Sequence, residues 1–330
     1  MDTNTQFKYK WWSRGDWGGF FGLFTNVVTN LMTLTSLLLF GVQMPAEIVM
    51  GRILPAIGVG CIVGNIYYGF AAKRLAKKEN RHDVTALPYG VSVPHMFTVT
   101  FVVIGPVYWS TGDPILAWRT GLAWCVIEAS IEILGSFAGP WIRRHVPRGA
   151  MLVTLAGLAI TTIAMNPAFQ IWEMPYISFI SLAIVLYAFL GNGKMPFNLP
   201  AGLVMIIIGT IVGWVIGYMR PEELVTTIQS VNVSLPHFYF QDIFAGFQHI
   251  GPYVAVALPL GVTNAISTMD SVESAAAAGD NFNVFECMLV DGIGSMCGAL
   301  LGSCYPTAVY IGHPGWKKWA SVAAIPLPPE

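Results

Sequence analysis

Apolar residues in this chain gather in repeated long runs, several reaching the ~20 residues a helix needs to cross hydrocarbon, with short charged or Pro/Gly-rich stretches between them. That pattern predicts a polytopic membrane protein rather than a soluble or singly anchored one. Composition agrees: 55% of the 330 residues are hydrophobic and 11% charged, too little polar surface to cover a globule of this size in water. The lipid bilayer is therefore the first expected partner. Its opening residues, Met1 to Trp17, are polar and amphipathic without a cleavable small-residue site, so the first span is expected to insert without a signal peptide.

Nine spans are expected near Trp17–Gly41, Glu47–Ala71, Val84–Trp109, Ile115–Ile142, Gly149–Met165, Tyr176–Leu190, Pro200–Tyr218, Pro252–Gly279 and Phe285–Gly302, with a tenth beginning around Tyr305. Basic residues then alternate between loops. Lys8, Lys10 and Arg14 precede the first span; Lys73, Arg74, Lys77, Lys78 and Arg81 follow the second; Arg143, Arg144 and Arg148 follow the fourth; Lys194 follows the sixth. Lys317 and Lys318 come after the tenth, and the intervening loops hold little beyond Arg220. The positive-inside rule puts the N-terminus in the cytoplasm. A formal net charge of -1 carries no further message about partners, and no nucleic-acid partner is expected. The five cysteines, Cys61, Cys125, Cys287, Cys297 and Cys304, lack metal or redox spacing and read as small packing residues, so no metal site or cofactor is expected.

Two apolar segments are interrupted alike: Ala86-Leu-Pro-Tyr-Gly-Val-Ser-Val-Pro94 in the third span and Ser303-Cys-Tyr-Pro-Thr-Ala-Val-Tyr-Ile-Gly312 in the tenth. Each is short, rich in β-branched residues and bounded by proline, which suits a strand better than a helix. Seven spans apart, they run in opposite directions across the membrane, as in an inverted repeat. Irregular backbone survives at membrane depth only when buried or lining a cavity, so these segments point to a substrate site.

The eighth span carries Asp270 and Glu273 one helical turn apart. A carboxylate at a helix centre costs about 2.5–3.5 kcal/mol on insertion scales, so such a group is expected to be paired, protonated or bound to something. Asp270 is read as the site for substrate or a coupling proton with Glu273 beside it, against the plainer reading that each pairs with a neighbouring backbone group or Arg. Glu128 and Glu132 share a face of the fourth span, and the structural reading leads there. Interior Arg–Glu pairs hold helices in register, while Arg52 and Arg119 lie near span ends. Thr25, Asn26, Thr29 and Asn30 form a polar stripe that either lines a cavity or glues helices. Gly294, Gly298 and Gly302 give the ninth span a smooth face for close helix contact. His95 and His313 each follow an interrupted segment and are better candidates for a local hydrogen bond than for a site. No HExxH, GxSxG or clustered His/Cys set suggests an enzyme.

The stretch from Asp291 to Ser303 followed by Pro306-Thr-Ala-Val-Tyr-Ile311 resembles the ninth and tenth segments of nucleobase-ascorbate permeases, with the hypoxanthine/adenine/guanine permease branch nearest. Leu87 to Ser92, Arg143 to Arg148 and Lys194 to Gly217 resemble the same family in order, so the likeness covers most of the chain. It implies an all-α polytopic fold of seven-plus-seven inverted repeats with short strands in segments three and ten. Residues 1–148 and 220–330 would belong to the substrate-holding core and residues 149–219 to the gate. It also implies a homodimeric permease of the cell membrane, coupled to protons or sodium, that carries purines or related nucleobases. The substrate would lie between segments one, three, eight and ten. Asp270, Glu273, Tyr89, Gly90, Ser92, Thr307, Ala308, Tyr310, Asn26 and Asn30 would bind it. The chain departs from the family in two respects: Gly312 and His313 stand where a carboxylate usually follows the tenth-segment strand, and the sequence stops at Glu330 before the last segments. An anion transporter of the same fold is the alternative, as is a non-transporting membrane component.

Overall fold

The computed structural model describes residues 14–221 and 234–323; Lys8, Lys10 and the last residues before Glu330 lie outside them. Within that range the chain is almost wholly helical, as an all-α membrane protein should be. Four helices are long and apolar enough to cross a membrane: α1 (Gly15–Gly41), α2 (Ala46–Glu79), α3 (Val93–Thr111) and α4 (Pro114–His145). They are followed by α5 (Arg148–Leu158), α6 (Met165–Glu173), α7 (Pro175–Phe189), α8 (Ala201–Val215), α9 (Phe240–Phe247), α10 (Val254–Ala277), α11 (Val284–Leu300) and α12 (His313–Ala323). The α9–α10 pair, bent by 78° at the Gly251 break, makes a fifth span if counted as one. The helices in the expected sixth and seventh spans, α7 and α8, have 15 residues each, short of a full crossing. The eight-residue α9 was not foreseen, being too short to stand out as an apolar run.

Local chemistry explains the boundaries. Asp113 caps α4 by accepting from the N–H groups of Ile115 and Leu116, with Pro114 at the first helical position where no N–H is required. Asn283 caps α11 through Glu286 N–H. Asn80 ends α2 in the left-handed conformation, and Gly112 does the same for α3. Short π-helical turns occur within the long helices, at Leu37–Gly41, Val49–Ile53 and Val99–Ile104.

Two compact units emerge. The larger comprises Val27–Ala159 and Ser234–Pro314; the smaller gathers the start of α1, the segment from Ile160 and the chain from Gly315. In the smaller, α7 packs on α8, with Gly209 against Ser181 and Ile177. In the larger, α4 is the central post, packed on α9, α10 and α11. This unit also holds the only two strands among the described residues, β1 (Tyr89–Val91) and β2 (Thr307–Val309). They pair antiparallel, with Tyr89 opposite Val309, Gly90 opposite Ala308 and Val91 opposite Thr307.

Candidate functional site

The strand pair extends one bond further at each end, and symmetrically. Ser92 N–H donates to Pro306 C=O at 2.9 Å, and Tyr310 N–H donates to Pro88 C=O at 2.8 Å. Both strands thus read Pro, any residue, small residue, Val, and each proline closes the ladder because it has no N–H to give. Every strand residue is buried. The ribbon can sit this deep because glycines make room for its tyrosines: a Cβ at Gly64 of α2 would overlap the Tyr89 ring, one at Gly294 would overlap the Tyr89 hydroxyl, and one at Gly90 would overlap Tyr310. Tyr89 Oη shares a short hydrogen bond with Thr307 Oγ1, while Asn30 Nδ2 of α1 donates to Tyr310 Oη at 3.0 Å. Asn65 anchors β1 by donating to Tyr89 C=O at 2.9 Å.

Beside the ribbon lies a connected set of buried polar side chains. Glu132 of α4 and Asp291 of α11 are both 0% exposed. Thr268 of α10 stands between them, with Oγ1 3.1 Å from Glu132 Oε1 and 2.6 Å from Asp291 Oδ2. Asn264, one turn earlier on α10, donates to Glu132 Oε2 at 3.2 Å, and β2 donates Val309 N–H to Asp291 Oδ2 at 3.2 Å. On the other side Ser92, at the end of β1, lies 3.4 Å from Asn264 Oδ1 and 2.6 Å from His95 Nδ1. His95 Nε2 then reaches Glu128 Oε1 at 2.7 Å, off the line of a good hydrogen bond. Among the described residues no Lys or Arg pairs with Glu128, Glu132 or Asp291. A chain of polar contacts therefore runs from Glu128 to strand β2 with no Lys or Arg of the described residues along it.

Asp270 and Glu273 face a different neighbourhood. Glu273 is held by Arg143 and by Arg148, whose Nε lies 3.0 Å from Oε2. Asp270 is 2% exposed, and its Oδ1 has no hydrogen-bond partner among the described residues. No hydrogen bond joins Asp270 to either strand there. Close by, Asp280 is fully buried and ties three segments together, accepting from Arg81 and Thr85 N–H and contacting His313 Nε2 at 2.8 Å.

The structure thus brings together six of the ten residues expected at a site, Tyr89, Gly90, Ser92, Thr307, Ala308 and Tyr310, on one ribbon, and adds Asn30 by a hydrogen bond. Asp270 and Glu273 lie on α10, Glu273 already engaged by two arginines. Asn26 falls on an exposed face of α1, in the smaller unit. Several expectations need correction. Glu128 and Glu132 are not held by interior arginines; Arg119 pairs with Asp242 at 2.7 Å, and Arg52 lies over Trp118 and Tyr239. The glycine face of α11 receives the Tyr89 hydroxyl at Gly294 and comes close to another helix, α2 at the Arg52 carbonyl, only at Gly302; it is Gly292 that packs against the α4 backbone at Ala129 and Ile133. Asp291, Thr268 and Asn264 were not expected at a site at all, and each reads in isolation as an ordinary polar residue in an apolar run. No protein-family model matches this chain, and no curated protein matches it.

Proposed function

We propose that the chain is a secondary transporter of the cell membrane, with its N-terminus in the cytoplasm, that moves nucleobase-like solutes without chemically changing them. The observation that carries this reading is the buried antiparallel ribbon of two Pro-bounded strands from segments far apart in sequence. Such broken segments, meeting at membrane depth, are the places where transporters expose main-chain groups to a substrate. Next to the ribbon, α3 begins at Val93 and α12 at His313, so two helix N-termini adjoin the strands and offer partial positive charge. Asp270, with a buried carboxylate oxygen that no described residue satisfies, is suited to accept the N–H groups of a planar heterocycle. Coupling to a proton or sodium and assembly as a homodimer belong to the same proposal.

One observation favours an anion transporter instead: two arginines, Arg143 and Arg148, meet the single carboxylate of Glu273, one turn from Asp270 on α10. Thermal stabilisation of the detergent-purified protein by a panel of purines, pyrimidines, ascorbate and inorganic anions separates the two, because a ligand that binds only the native state raises its stability. A shift with a base that disappears in Asp270→Asn supports the nucleobase reading. A shift with anions alone replaces it.

A further inference from the structure

Counting hydrogens at Thr268 constrains the protonation of the buried network. Its hydroxyl carries one proton, yet Oγ1 lies within hydrogen-bonding distance of two carboxyl oxygens, Glu132 Oε1 and Asp291 Oδ2. Ionised carboxylates only accept, so both contacts are hydrogen bonds only if one carboxyl is protonated and donates to Thr268. Two arrangements satisfy the count at Thr268, and the Glu132 and Asp291 carboxyls also contact each other directly. In the first, Glu132 Oε1–H donates to Thr268 Oγ1, and Thr268 donates to an ionised Asp291 that also accepts Val309 N–H. In the second, Asp291 Oδ2–H donates to Thr268, and Thr268 donates to an ionised Glu132 that also accepts from Asn264 Nδ2. They interconvert by moving two protons in concert: the Glu132 O–H bond breaks as a new Thr268 O–H forms, while the old Thr268 O–H breaks as Asp291 gains its proton. Nothing else is consumed, and the hydroxyl is regenerated.

We propose that Glu132, Thr268 and Asp291 are the proton-carrying element of the transporter, which makes the coupling ion a proton. The proposal rests on the transport reading above. The surroundings suit it. The titratable groups facing the pair are Tyr68 of α2, Tyr89 of β1, Cys125 and Glu128 of α4 and Cys287 of α11, with His95 of α3 on Glu128, so no Lys or Arg among the described residues neutralises the pair in place of a proton. Two acidic groups sharing one buried site hold a proton between them. Its position is also felt by the ribbon: when Asp291 is ionised Val309 N–H binds a charged oxygen, and when it is protonated that bond weakens. Proton movement across Thr268 therefore changes the hold of α11 on strand β2, beside the groups assigned to substrate.

The test uses the full chain in two settings. In detergent, infrared spectra of the wild-type protein at neutral pH should show the carbonyl band of a buried protonated carboxyl, reduced in Glu132→Gln and in Asp291→Asn; this requires no ligand. In proteoliposomes, with whichever ligand stabilises the protein, an imposed pH gradient should drive accumulation. Thr268→Ser, which keeps the hydroxyl, should retain that accumulation. Thr268→Val, which keeps the shape, should lose about 100-fold in driven uptake while still showing the ligand-induced thermal shift. Absence of the band in a protein that transports overturns the proton site alone, as does wild-type driven uptake by Thr268→Val. A sodium gradient driving uptake without any pH dependence overturns the choice of ion. If the band is present but nothing is transported, the transport reading fails and the coupling role with it.

Discussion

Tyr89 shows how much of this architecture rests on single atoms. Its ring lies against Gly64 and its hydroxyl against Gly294, so alanine at either glycine should overpack the ribbon, at a cost of about 1–3 kcal/mol. The two positions differ in which atom is met. At Gly294 the nearest atom is the Tyr89 hydroxyl; at Gly64 it is ring carbon. Tyr89→Phe, which by itself forfeits the hydrogen bond to Thr307 at about 1 kcal/mol, should therefore relieve most of the cost of Gly294→Ala and none of the cost of Gly64→Ala. Thermal unfolding of the two double mutants in detergent decides it, and equal rescue at both glycines would refute this packing. The presence of these glycines was plain in the sequence, but their role was not: spacing along α11 identifies a smooth face without saying whether a helix or a tyrosine fills it.

At the level of elements, α10 carries two carboxylates one turn apart with opposite duties. Glu273 closes a pair of charge-assisted contacts with Arg143 and Arg148, tying α10 to the end of α4 and the start of α5. Both arginines are partly exposed, so solvent weakens the tie, and Glu273→Gln should cost only about 1–2 kcal/mol. Asp270→Asn should leave stability unchanged or raise it, since Oδ1 has no partner among the described residues to lose. Chemical or thermal unfolding of the two variants side by side checks the contrast, and a larger loss in Asp270→Asn would overturn it. A smaller element-level effect is expected at Asp113, where replacement by Ala removes the cap of α4 at about 1 kcal/mol. Elements were the most legible scale. Long apolar runs announce the long helices, and the two Pro-interrupted segments announce both strands. The Glu132–Thr268–Asp291 network was invisible because its members come from three helices, α4, α10 and α11, and helical periodicity tells which face a residue occupies, never which helix stands opposite.

For the whole molecule, the question is which way it sits in the membrane, and contacts within the larger unit make that answerable. Arg81, after α2, binds Gly279 C=O and Asp280 after α10; Arg143, at the end of α4, donates to Asn281 Oδ1 at 3.1 Å. The ends of α2, α4 and α10 therefore gather on one side, together with most of the basic residues that the positive-inside rule assigns to the cytoplasm. Asp113 lies at the other end of α4, whose 32 residues span roughly 48 Å at the usual helical rise. Four native cysteines are buried and only Cys297 is exposed, so a Cys297→Ala background leaves little to react. In that background, His82→Cys and Asn281→Cys, both at exposed positions, should be labelled by a membrane-impermeant maleimide only from the cytoplasmic face, and Thr111→Cys only from the opposite face. Labelling of His82→Cys and Asn281→Cys from different sides would break the structure of the larger unit itself. Labelling of all three in the reverse sense would keep that structure and invert the orientation, which would mean that the basic residues at this end are held by Glu273, Asp280 and Glu286 more than by the cytoplasm.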